Sequence, residues 1–283
     1  MYFCFQIKIT MKKVLFLAFG MAALSVNAQQ LKLSAGQKIT SDTRMDMEMD
    51  MGMGGQMKVK SKTTNVLQIT GVDDAGIKGT ATVTKMSVSQ EGMGQSTEFD
   101  SEKKGDLDSE MGKMMGKEIN KSVDVIVDKK TGKAKEANPK KDIEVDSNPM
   151  ANMMGGMGEK SAAGMASSAF FIIPQGKKAG DKWTDSLSED GMKGLRNYEL
   201  KAIDKDEATV IMKTTSKGFI TKEVQGMQME INMNTASESN LRTNITTGLV
   251  KKNSTSATME GTLDMMGQSM PISMKMTTEL EVD

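Results

Sequence analysis

The stretch Met45-Asp46-Met47-Glu48-Met49-Asp50-Met51-Gly52-Met53-Gly54-Gly55-Gln56-Met57 decides the fold. Methionine takes every second position from Met45 to Met53, and Asp46, Glu48 and Asp50 fill the first gaps. A strand sends successive side chains to opposite faces, so the alternation separates thioethers from carboxylates. A helix would scatter the same residues around its axis. The stripe returns twice. Met227, Met229, Ile231 and Met233 alternate with polar residues, and Met270, Ile272, Met274 and Met276 alternate with Pro271, Ser273, Lys275 and Thr277.

Composition fits a β-rich chain with an unusual core. The chain has 283 residues and 30 methionines, with only 4% aromatics, so thioethers take over space that Phe, Leu and Ile fill elsewhere. Such a core is pliable and specifies packing weakly. There is no histidine, and the one cysteine is Cys4. Imidazole bases, His-ligated metals and thiolate nucleophiles are therefore absent from residues 29–283. No G-x-S-x-G elbow or P-loop occurs. The chain is read as no enzyme, with no cofactor.

Residues 1–28 read as an extension and an export signal. Met11-Lys12-Lys13 gives the positive start, Val14–Val26 the short apolar run, and Val26-Asn27-Ala28 the cleavage site. Cleavage after Ala28 removes Lys8, Lys12 and Lys13 from 37 basic and 37 acidic residues, leaving 34 against 37 and a net charge of −3. A periplasmic or secreted, slightly acidic protein follows, with no retained membrane span and no affinity for nucleic acid.

The rest is expected as a single domain, 29–283. Its possible halves, 29–148 and 170–283, are joined by a Gly/Met-rich helix or lid. The first half is read as a meander of strands to Ser101, a helix over Leu107–Ile119 capped by Asp106 or Asp108, and a strand Lys121–Asp128. Met150–Ala169 is a second helix. Phe170–Trp183 is a linker anchored by Trp183, with Phe170 and Phe171 beside it. Strands Asn197–Asp204, Glu207–Ser216, Phe219–Thr235, Ser239–Thr246, Leu249–Leu263 and Gln268–Glu281 follow, with Lys217-Gly218 among the turns. The fold class is mainly β (α+β): a curved antiparallel sheet or half-barrel from two similar halves, with one or two helices over the apolar face.

Three groups carry a resemblance: Leu33…Gly36-Gln37, the Met-x-Met strand closing on Gly55-Gln56-Met57, and Pro174…Gly180-Asp181-Lys182-Trp183. Through them the chain resembles an uncharacterised family of exported Bacteroidota proteins, a domain of unknown function (number 6263). The resemblance spans nearly all of the processed chain. It implies a fold similar to the lipoprotein-carrier (LolA-like) class and no catalytic residues.

The stripes admit three readings. They are ordinary core, with a structural role; or a face that holds an apolar ligand such as a lipid or lipoprotein segment; or a Cu(I)/Ag(I) site. The ligand-binding set is Met45, Met47, Met49, Met51, Met227, Met229, Ile231, Met233, Met270, Ile272, Met274 and Met276. The metal alternative uses Met45, Met47, Met49, Met51 and Met53, whose neighbours along a strand lie about 6.6 Å apart. Asp46, Glu48 and Asp50 read as a solvated face, because flat alternation does not converge oxygens on one ion.

Overall fold

A computed structural model describes residues 31–52, 55–92, 94–116, 119–138, 162–189, 191–224, 227–265 and 268–283. The expected export signal, Met53, and most of the expected helix Met150–Ala169 fall outside these residues.

One open antiparallel sheet organises them. In chain order its strands are β1 Lys38–Asp50, β2 Gln56–Asp73, β3 Gly76–Gly92, β4 Gln95–Asp100, β5 Ser122–Val127 and β6 Ala134–Glu136. They continue with β7 Lys182–Glu189, β8 Met192–Asp204, β9 Glu207–Val224, β10 Met227–Asn244, β11 Val250–Met265 and β12 Gln268–Val282. Their spatial order is β6-β5-β3-β2-β1-β12-β11-β10-β9-β8-β7, with β4 beside β3. The sheet is not closed into a barrel. Each half of the chain builds one half of the sheet, and β1 and β12 form the seam through ten residue pairs, from Ser41↔Val282 to Asp50↔Ser273.

Two short helices are described, α1 Glu110–Met115 and α2 Ala162–Ser168. The α1 cap is Ser109, whose Oγ accepts from the Gly112 N–H at 3.0 Å, and not Asp106 or Asp108, which belong to a 3-10 turn before it. The helix is shorter than expected at its far end too. Ile119 leaves it to bridge Val83.

The alternation of β1 is realised as read. Met47 and Met49 are buried, while Asp46, Glu48 and Asp50 are exposed. The carboxylates stay solvated and pair locally: Glu48 meets Lys58 at 3.0 Å and holds its ammonium above the ordinary value. The strand stops at Asp50 rather than Met53. The Asp50 carboxylate accepts the Gly52 N–H at 2.8 Å, and Gly52 turns with φ of 66°.

Several expectations in the second half need correction, among them the strand Phe219–Thr235, which is divided between the end of β9 and the start of β10. Lys217-Gly218 is no turn: β9 runs straight through it, and β10 is unbroken where a gap stood at 236–238. Gly218 serves the packing, since a Cβ there would run into the Sδ of Met192, its partner on β8. Trp183 lies on β7, a strand expected to be linker, and pairs with Tyr198 of β8.

Candidate functional site

Both apolar clusters lie on one face of the sheet, and their compositions differ. The first holds Leu67, Ile69, Val125, Leu200, Val210 and Leu280 among its 22 buried residues, none of them methionine. Helix α2 seats Ala163 and Ala166 on it. The second cluster spans β1, β2, β3, β10, β11 and β12. Six of its 11 buried residues are methionines, and the partly buried side chains packed around it are all methionines. Helix α1 reaches it through Met115.

Register explains how the methionines meet. Met57 of β2 stands opposite Met49 of β1, Met49 opposite Met274 of β12, and Met274 opposite Met259 of β11. Directly opposed residues have Cβ atoms about 4.5–5.5 Å apart, closer than neighbours along one strand. The thioethers therefore associate across strands. A second rung pairs Met47 with Met276. Gln90 Nε2 donates to Met57 Sδ at 3.3 Å and fixes one end of the row.

The expected site residues divide three ways. Met47, Met49, Ile231, Met233, Ile272 and Met274 are buried together. Met45, Met51, Met270 and Met276 are half-buried. The strand positions of Met227 and Met229 are described, but not their side chains. Met57, Val59, Val88, Met259 and Leu263 complete the cluster and were not in the expected set. Met57 carried a signal, being the end of the same stripe. Met259 carried a weaker one: Ala257, Met259, Gly261 and Leu263 alternate with Thr258, Glu260, Thr262 and Asp264 along β11. Exposures of 2% for Met49 and 3% for Met57 make this a packed face rather than an open groove. Two clefts, of about 300 and 780 Å³, open on the opposite, polar face, and Arg44 and Asp46 border both. Among the described residues no group of three or more His, Cys, Asp or Glu is placed to hold a metal. No described helix is long and apolar enough to cross a membrane.

At the β7 edge the same face ends in aromatics. Trp183 stacks on Tyr198 at 5.0 Å and 7°, Phe171 meets Tyr198 at 5.9 Å, and the Lys177 ammonium sits 5.6 Å from the Trp183 ring. The Tyr198 hydroxyl donates to Asp185 at 3.1 Å. Burial, with the Asp185 charge added, pushes the phenol up to about 12. The folded protein then keeps a proton that the unfolded chain releases near pH 10. Stability from this group is whole below about pH 10 and falls as pH rises to about 12. Tyrosinate absorbance should report Tyr198 titrating near 12, and Tyr198→Phe should flatten the alkaline loss of urea stability. Titration near 10 would contradict the buried geometry.

A family of unknown function (DUF6263) has a model that matches residues 74–250. The chain belongs to this family. For the DUF6263 chain the matched span begins just after β2 and stops at the first residue of β11. Of the three groups that carried the resemblance, only Pro174…Trp183 lies within it, so the match is narrower than the near-complete span expected. The methionine-bearing parts of β1, β2, β11 and β12 lie outside it. No curated protein matches. A solved structure of lipovitellin, described as showing lipid–protein interactions, is similar in fold: TM-score 0.52, 8% identity, 89% of this chain covered. The DUF6263 chain spans 25% of that lipovitellin chain.

Proposed function

We propose that the protein is an exported, non-enzymatic carrier that takes an apolar ligand, a lipid or the acyl part of a lipoprotein, into the methionine cluster. The observation that carries this reading is the partition of one sheet face: a rigid cluster with no buried methionine, and beside it a separate one built half of methionine. The methionine cluster adds side chains that repack around varied apolar shapes at little cost. Its packed state is then the ligand-free state, and entry of a chain displaces thioethers rather than filling a standing void. Likeness in fold to a lipid-bearing protein agrees with this. Export rests on the character of residues 11–28.

A structural role is the second reading, and the burial of Met49 and Met259, each 2% exposed, favours it. Native mass spectrometry of protein exported by its own host and purified without detergent separates the two. The expected result is heterogeneous added mass that fragments to acyl chains. A bare polypeptide would leave the structural role standing, and a discrete one-copper mass would move the site to the cross-strand thioethers.

A further inference from the structure

Between the two clusters the inner face changes chemistry. One rung across β2, β1, β12, β11 and β10 runs Ser61, Met45, Thr278, Thr255 and Ser239. Beside it lie the pairs Thr63–Thr43 and Asn65–Ser41. Ser239 and Thr255 satisfy each other at 2.8 Å. Asn65 is not satisfied: it is 3% exposed, and its Oδ1 has no hydrogen-bond partner. A buried acceptor without a donor is costly, and native proteins rarely keep one without a reason.

Two further features define the belt. Thr43, Met45, Ser61, Thr63 and Thr278 are half-buried where the cluster residues on either side are buried, so the inner face is reached from solvent here. No inner-face side chain described on β1, β2, β10, β11 or β12 is charged; the described charges on this face, Glu136 on β6 and Asp185 and Arg196 on β7 and β8, stand at the two edges of the sheet. Along β2 the belt from Ser61 to Asn65 is about 13 Å long, room for a glycerol or one sugar.

We propose that this belt binds the uncharged, hydroxyl-bearing head of an acyl amphiphile, an acylglycerol or an alkyl glycoside. A head hydroxyl donates to Asn65 Oδ1, the Ser/Thr hydroxyls take its other groups, and the chain lies in the methionine cluster. The inference rests on the carrier reading and specifies its ligand. An anionic head has no cation to meet in the belt and is excluded by desolvation.

The test uses the processed full chain, stripped of bound lipid, with three titrants: monoolein, oleate and dodecyl glucoside. An apolar dye, N-phenylnaphthylamine, reports on the methionine cluster alone. Monoolein or dodecyl glucoside should bind at least tenfold tighter than oleate, and the tighter of the two identifies the head. Asn65→Leu should weaken that binding at least tenfold, leave dye uptake unchanged, and keep or raise the melting temperature. Thr63→Val, nearly isosteric, should weaken it in the same direction and serves if Asn65→Leu does not fold. Oleate binding as tightly as monoolein, or binding that ignores both substitutions, would overturn the belt proposal while leaving the apolar site intact. Failure of dye and all titrants together would remove the carrier reading itself.

Discussion

Met49→Lys should cost about 4 kcal/mol or more of folding stability, the range for an unpaired charge forced into a core. Met49 is 2% exposed and stands between Met57 and Met274, with no carboxylate on the inner face of the five central strands. Its chain neighbours Glu48 and Asp50 point to the other side of the sheet and cannot pair with the new ammonium. Met49→Leu, which nearly conserves volume, should cost under about 1.5 kcal/mol. Urea unfolding of both variants checks the pair. A lysine tolerated to within about 1 kcal/mol would mean that the row is open to solvent, which its burial denies.

Phe99→Ala should lose about 3–5 kcal/mol, as large-to-small changes at fully buried aromatics do. Phe99 is 1% exposed and faces Val88 from the six-residue β4, which pairs with β3 alone. The segment behind β4 leans on the same spot. The Asp100 N–H donates to Asp106 Oδ2 at 2.9 Å, and the Ser101 N–H to the Met86 carbonyl at 2.9 Å. The loss should therefore be local before it is global. Hydrogen exchange should show β4 and α1 losing protection at denaturant concentrations that leave β2 and β12 untouched. Uniform loss across the sheet would show that β4 is an integral part of the cooperative unit rather than a flap upon it.

What the sequence disclosed was parity, and what it withheld was neighbourhood. Strict alternation in Met45–Met51 and Met270–Met276 reads directly as strand with one apolar face, because side-chain direction depends on the local backbone alone. That Met49 meets Met274 across 225 positions depends on strand order, which no local pattern encodes. The soft-metal alternative was thus drawn along one strand, whereas the thioethers gather across four. Gly218 misled for a related reason. Glycine beside lysine is ordinary turn chemistry, but here the missing side chain makes room for Met192, which stands opposite it on β8. The belt escaped notice because Ser and Thr suit either face of a strand, so Thr43 and Thr63 announce nothing until burial tells which side they take. Strand β7 escaped because Asp185 alternates with Trp183 and Leu187, and a charge on the inward side breaks the expected apolar series.

The β1–β12 seam has a consequence for how the chain is made. The seam pairs β1 with a strand more than 200 positions later, Ser41 with Val282, so the middle of the sheet cannot zip until β12 has been made. Until then β1 offers a long, unpaired, methionine-lined edge, the kind of surface on which nascent chains aggregate. The two half-sheets are built largely of hairpins of low contact order, whereas their union at the seam is long-range and raises the contact order of the whole, which slows folding. For an exported chain, as proposed above, this order is useful: the sheet stays unfinished, and therefore threadable, until β12 has emerged.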